Sequence, residues 1–419
     1  MKPRIGYLIP EFPGQTHIFF WREIQAMEAM GAEIPLISTR LPNRGIISHS
    51  WSDEAMARTR YLLPVPPLAL AASIPSLPVP LLAEAAFGSA AAGERGTVLK
   101  DLVMCTPLAR RLVRIAAEER LDHLHVHSCG RAALIAMLAR RMGGPPYSIT
   151  LHGPMQDYGA GQRFKWRAAE FATIITRKLR AEVEADLAGS LPPRMAIQSM
   201  GVDTERFRRE APYVPAEPGG PVRIFCCGRL HVVKGHQFLI RAVAELAGRG
   251  IDARLTIAGE DEQGGAGFHR ELDALIAELG VADRVTLLGA VSEAEILSQL
   301  NGAHMFVLAS LHEPLGVAYM EAMSTGVPTI GTDAGGVPEL IEDGRDGLLV
   351  PPQDPPALAD AIALLAGDPE LAARLSSAGR ETVVASFRAS QGAETLFEMI
   401  TGAPPPGAGA GAEAGTRTP

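Results

Sequence analysis

Short apolar runs alternate with longer amphipathic ones along most of the chain. Residues 4–9 (RIGYLI) read as a buried strand, and residues 19–30 as a helix stopped by Gly31. Residues 34–38 return to strand, 124–127 form another short strand, 132–141 a helix, and 147–151 a strand again. The rhythm restarts after residue 210. Strands are expected at 222–227, 254–258, 285–288, 304–309 and 329–331, with helices at 236–249 and 268–279 closing at Gly250 and Gly280. Such strand–helix–strand alternation predicts parallel sheets covered by helices on both faces. The expected fold class is α/β, with two doubly wound Rossmann-like halves facing across a cleft.

Domain boundaries follow from where the periodicity fails. Residues 210–221 (EAPYVPAEPGGP) have none and are rich in Pro and Gly, so they read as a linker between a domain at 1–209 and one at 222–401. The last helix is expected to pack back toward the first domain. Residues 402–419 are small, polar and proline-containing, and are expected to be a disordered tail.

Composition narrows the function classes. The 419 residues are 47% hydrophobic and 21% charged, which suits a folded soluble protein of two or three domains. Net charge is -8, from 39 basic and 47 acidic side chains, which speaks against a nucleic-acid binder. A small basic pocket for one phosphorylated ligand remains compatible with that total. Cys105, Cys129, Cys226 and Cys227 form no C-x-x-C pair, so neither a disulfide framework nor a zinc knuckle is expected. The N-terminus has no signal-peptide pattern, and a cytoplasmic location is expected. Residues 61–83 carry no charge but six prolines, which argues against a spanning helix. They read either as a proline-stiffened excursion or as a surface that leans on a membrane or a lipid-linked substrate.

In open parallel sheets ligands bind beyond the carboxyl ends of the strands, so the unusual residues are sought there. In the segment 310–331, Glu313 follows a strand, Gly316 permits a close turn, and a helix begins near Val317 with Glu321 inside it. The first amides of that helix form an anion site suited to a diphosphate. The two carboxylates read either as a solvated loop residue and a cap, or as a pair facing a sugar and accepting ribose hydroxyls. In 228–235 (GRLHVVKG), Arg229 and Lys234 lie between a strand and a helix, where two cations suit a diphosphate leaving group.

Arg229-Leu230-x-x-x-Lys234-Gly235, followed by Glu313-x7-Glu321-Ala322-Met323-x-x-Gly326-x-Pro328, resembles the signature of the family 4 retaining glycosyltransferases, which have the two-domain glycosyltransferase B fold. Gly335-Gly336-x-x-Glu339-Leu340-Ile341, Gly347-Leu348-Leu349-Val350 and Met200-Gly201-Val202-Asp203 to Phe207 are similar to further parts of that pattern. The resemblance implies a nucleoside diphosphate sugar as donor substrate, with no cofactor and no metal. Arg229, Lys234 and the amides of Gly316, Val317 and Ala318 would hold the diphosphate. Glu321 would accept from the ribose, Glu313 would contact the transferred sugar, and the base would sit near Leu288. From the first domain, His152 would reach into the cleft, and the loop at Gly14 would approach the donor phosphate, with Thr16 capping a helix or touching a ligand. The implied reaction is a hexosyl transfer with retention.

The chain departs from the pattern at Pro314, Leu315 and Met200, which puts the details of sugar contact in doubt. His125 and His127 are expected to face opposite sides of their strand in structural roles. The acidic run Glu260-Asp261-Glu262 lacks a nearby His or Cys ligand and reads as a solvated loop, not a metal site. A dehydrogenase is disfavoured because neither half carries G-x-G-x-x-G. A non-catalytic sugar-nucleotide binder and a sugar-nucleotide epimerase of the same fold are the alternatives. The opening FPGQTHIFFWREIQAMEAMG is similar to the subgroup that builds exopolysaccharides such as colanic acid. That likeness implies a glycan or lipid-linked acceptor and peripheral contact with the inner membrane face, with 61–83 and Phe19-Phe20-Trp21 as candidate contact surfaces.

Overall fold

The structure is a computed structural model that describes residues 2–14, 17–42, 51–87, 94–261 and 267–405. Thr16, Glu262 and most of the expected tail therefore lie outside the described residues. Thirteen strands are described. In the first half they are β1 (Ile5–Glu11), β2 (Leu36–Arg40), β3 (Thr59–Tyr61), β4 (His123–Val126), β5 (Tyr147–Leu151), β6 (Ala172–Ile174) and β7 (Met195–Ile197). In the second they are β8 (Val222–Cys227), β9 (Ala253–Ala258), β10 (Val285–Gly289), β11 (Met305–Val307), β12 (Thr329–Thr332) and β13 (Leu348–Val350).

All pairings between these strands are parallel, in the orders β3-β2-β1-β4-β5-β6-β7 and β10-β9-β8-β11-β12-β13. The order reverses between β1 and β4 and between β8 and β11, and a crevice opens beyond the strand ends at such a point. Burial on both faces explains why β4 and β5 are continuously buried instead of alternating.

Several elements differ from the sequence reading. The strand expected at 34–38 starts two residues later. β3, β6, β7 and β13 are three-residue strands, too short to leave a periodicity of their own. The uncharged stretch at 61–83 is broken into the helix Pro67–Ala71, a single 3-10 turn at Ile74–Ser76, and the start of the helix Val79–Phe87. Arg110 and Arg111, on the helix Arg95–Glu118, tie the segment down through the carbonyls of Ala72, Leu62 and Pro64. Among the described residues no helix is long and apolar enough to cross a membrane.

The two halves are stitched together at several points. Residues 210–221 contain no strand or helix, and Tyr213 Oη donates to the His304 carbonyl at 2.6 Å. The last helix, Ala389–Thr401, returns to the first half, where Leu396 and Phe397 join Tyr7, Ile24, Met27 and Phe171 in one apolar cluster. Its approach is fixed by Val202, which pairs with both Phe387 and Ala389 through backbone hydrogen bonds of 2.9 and 3.0 Å. Glu339 reaches from the second half to accept from the Arg177 and Lys178 amides at 2.7 and 2.9 Å. Those amides open the helix Arg177–Asp186, so the carboxylate sits at its positive end.

Candidate functional site

The second half brings its charged residues to the ends of β8 and β11. β8 ends at Cys227 and hands the chain to Gly228 and Arg229. A tight turn at Val232–Lys234, pinned by the Val233 amide on His231 Nδ1 at 3.2 Å, then carries Lys234 inward. Lys234 Nζ lies 2.5 Å from Glu313 Oε2, and Ser310 Oγ donates to the same oxygen at 3.2 Å. Glu313 is only 7% exposed. Burial pushes the Arg229 guanidinium below its ordinary range, against the pull of the Glu313 carboxylate.

Two glycines make this corner possible. Gly335 has φ +66°, and a Cβ there would stand 2.1 Å from the Glu313 carbonyl oxygen. That carbonyl is held by the Gly336 amide at 2.8 Å. Gly316 has φ +99° and caps the helix Val317–Ser324, leaving that helix's first amides without intrahelical partners.

The first half closes the cleft. A cavity of about 390 Å³ is lined by Arg229, Lys234, Glu313, Gly316, Val317, Ala318 and Glu321 from one side, and by His152, Ile18, Phe19 and Met200 from the other. That volume suits a small-molecule ligand. Gly14 and Leu288 do not line it; Val291 and Ile296, just beyond β10, do. The chain turns at Gly289 (φ +70°) between Leu288 and these lining residues. Larger hollows exist, one of about 680 Å³ along the last helix, but they lack this conjunction of two cations and a helix end.

Glu321 is not the isolated acceptor that its motif position suggests. Its Oε1 pairs with Arg22 Nη2 at 2.9 Å, and the same nitrogen lies 3.1 Å from Glu293 Oε2. Arg22 belongs to the helix Ile18–Ala29 of the first half, is 7% exposed, and stacks its guanidinium 5.0 Å from the centre of the Phe207 ring. The sequence reading missed Arg22 and Glu293. The available signal was an adjacent Arg-Glu pair inside the apolar run IFFWREI, on a helix whose inward stripe should be apolar.

Behind His152 lies a buried polar chain. His127 Nδ1 is 3.1 Å from His152 Nε2. His127 Nε2 is 3.1 Å from Glu23 Oε1 without the alignment of a hydrogen bond, and Glu23 accepts from Tyr7 Oη at 2.5 Å. His125 is held by Ser148 and Thr150 at 2.7 and 2.9 Å. This corrects the expectation that His125 and His127 face opposite ways. Residues two apart on a strand share a face, and their rings are 4.4 Å apart. Burial pushes His152 down to about 3 and pushes the Glu23 carboxyl up, so His152 is a neutral imidazole at ordinary pH.

Two metal-related readings also change. Glu23, His125 and His127 offer ligand atoms within 4.8 Å of one another, a grouping invisible in sequence because Glu23 is remote. The acidic run does acquire a histidine: His269 Nδ1 lies 3.7 Å from Glu260 Oε1. His125 already spends both ring nitrogens on hydroxyls, and one histidine beside an exposed carboxylate is an ordinary surface contact.

Residues 207–382 match the family model described as glycosyl transferases group 1. The alpha-D-kanosaminyltransferase of Streptomyces kanamyceticus is 30% identical over 346 residues, covering 77% of this chain and 86% of that enzyme. A putative colanic acid biosynthesis glycosyltransferase, WcaL of Salmonella typhimurium, is 27% identical over 379 residues, covering 86% of this chain and 90% of that protein. Among solved structures, Anabaena HepE in complex with UDP shares the fold with a TM-score of 0.73 and 18% identity, over 96% of this chain and 100% of that one. Kinship extends through both halves and not just the motif-bearing second one: the chain belongs to the group 1 glycosyltransferases, enzymes of the family 4 type with the two-domain glycosyltransferase B fold.

Proposed function

We propose that the enzyme moves a hexose from a nucleoside diphosphate sugar to a hydroxyl of a glycan or lipid-linked oligosaccharide, with retention at the anomeric carbon, in making an exopolysaccharide or another cell-surface polysaccharide. One observation carries the reading. Arg229, Lys234 and the first amides of the helix Val317–Ser324 converge on the same cavity as Glu313, Glu321 and, from the opposite half, His152. The name of the WcaL relative and the UDP held by the HepE structure support the pathway and the donor class.

In this reading the bond from the anomeric carbon to the β-phosphate oxygen breaks, and negative charge develops on the departing diphosphate. Arg229, Lys234 and the helix end stabilise that charge without reorganising; one such fixed donor is worth about 2.7–4 kcal/mol in a reference enzyme. These groups take the place of a divalent metal, and turnover should persist in chelator. The acceptor oxygen bonds the anomeric carbon on the same face, and its proton passes to the departing phosphate oxygen. His152, neutral, accepts from or donates to a sugar hydroxyl. Glu313 contacts the sugar; engaged by Lys234 and Ser310, it is poorly placed as a nucleophile. Trapping a glycosyl adduct on Glu313 would overturn that last point.

The acceptor is read as arriving from the first half, at the cytoplasmic face of the membrane. A panel of UDP- and GDP-hexoses, with mass-spectrometric detection of transfer or hydrolysis, tests the function. Turnover of at least one donor is expected, and failure to bind or turn over any nucleoside diphosphate sugar would sink the proposal.

A further inference from the structure

We propose that Arg22 is a positioning residue for the donor: reaching across from the first half, it holds Glu321 as an ionised, oriented acceptor for the ribose. This rests on the reading of Glu321 as the ribose acceptor.

The geometry carries the inference. Arg22 spends Nη2 on Glu321 Oε1 at 2.9 Å and on Glu293 Oε2 at 3.1 Å, and both carboxylates belong to the second half. Its plane is fixed by the buried Phe207 ring, whose carbonyl is in turn bound by Ser324 at 2.6 Å, three residues beyond Glu321 on the same helix. Glu321 itself lines the cavity. A carboxylate has two oxygens and about four acceptor sites, so Oε1 can stay on Arg22 while the group still accepts ribose hydroxyls. Arg22 Nη1 is buried with no hydrogen-bond partner, so the guanidinium keeps a donor in reserve.

The charges around Glu321 make the role testable by pH. Facing it are Arg22, Glu293 on the helix Glu293–Gly302, and Cys227 at the end of β8; Arg206 neutralises the far oxygen of Glu293. Burial pushes the Glu321 carboxyl up, Arg22 pulls it down, and Glu293 pushes it up. A protonated Glu321 loses acceptor capacity, so donor affinity should fall on the acid side. Removing Arg22 moves that fall to higher pH. Removing the Glu293 charge moves it to lower pH.

The experiment measures dissociation constants by calorimetry from pH 5 to 8 for UDP or GDP, whichever binds wild type more tightly. Arg22→Met is expected to weaken binding roughly tenfold at neutral pH and to shift the acid limb upward by about one unit. Arg22→Lys should recover part of both, and Glu293→Gln should shift the limb the other way. A merely structural loss would weaken binding without moving the limb. If Arg22→Met does not fold, the opposite shifts expected of Arg22→Lys and Glu293→Gln carry the test alone. Unchanged affinity and an unmoved limb in the Arg22 variants, while Glu321→Gln weakens binding, would overturn this inference and spare the site. Unchanged affinity in Glu321→Gln would instead remove the ribose reading beneath it.

Discussion

Lys234 and Glu313 are mostly buried and 2.5 Å apart, so each is the other's main electrostatic partner. Removing one side of such a pair leaves an uncompensated charge, at a cost of up to roughly 3 kcal/mol. Lys234→Ala is therefore expected to lose both activity and stability: turnover down at least about tenfold, from one lost cation at the leaving group, and a lower melting temperature in the same preparation. Arg229→Ala should lose comparable turnover. Steady-state rates beside thermal melts check this, and wild-type turnover in both variants would remove them from the site. Placement at this scale was partly legible. Arg229 and Lys234 follow β8, and Glu313 and Glu321 follow β11, each pair at a fixed local spacing; the parallel pairing of β8 with β11 then brings the two pairs together. Arg22 could not be found this way. Its partners are Glu293 and Glu321, about three hundred positions on, and nothing local encodes that meeting.

At the scale of elements, the helix Val317–Ser324 was readable because a glycine and a helical run announce its start. The helix Arg95–Glu118 was not read at all. It carries Pro107 in its interior, a residue that usually ends a helix, and its burial against the helix Arg131–Arg141 outweighs that local preference. Residues 61–83 illustrate a mixed case. Leu62 and Leu81 are core residues, while Leu68, Ile74 and Val79 are 84%, 63% and 67% exposed. Deleting the whole stretch would cut into the core, so substitution is the cleaner probe of membrane contact. Changing Leu68, Ile74 and Val79 together to Ser should leave folding and donor hydrolysis intact and reduce co-sedimentation with anionic lipid vesicles several-fold. Unaltered co-sedimentation would retire this surface as a membrane contact.

Across the described residues the molecule carries several buried or half-buried neutral imidazoles. Burial pushes His123 and His152 down to about 3 and His236 down to about 4, and pushes His125 and His127 well below their ordinary value. In the unfolded chain these groups protonate near 6.5, so below that pH the unfolded state binds more protons than the folded one. Stability is therefore full above about pH 7 and falls as pH drops toward 4, by up to about 1.4 kcal/mol per unit for each histidine. Urea unfolding at pH 7, 6 and 5 should show the loss steepening. A midpoint that stays level across that range would contradict the burial of the cluster.

The sequence by itself determined the two parallel sheets, the stretch without strand or helix at 210–221, and the placing of two cations, a glycine turn and a helix start at strand ends of the second half. Each of these is written in short-range patterns: apolar runs, glycine stops and charges a fixed number of residues apart. Tertiary structure alone decided what crosses the cleft. The Arg22 bridge, the return of the last helix onto the first sheet and the Glu339 cap on the first half's helix all join residues far apart in sequence. Their energies arise from burial and alignment of groups that meet only once both halves have folded, so no local spacing could record them.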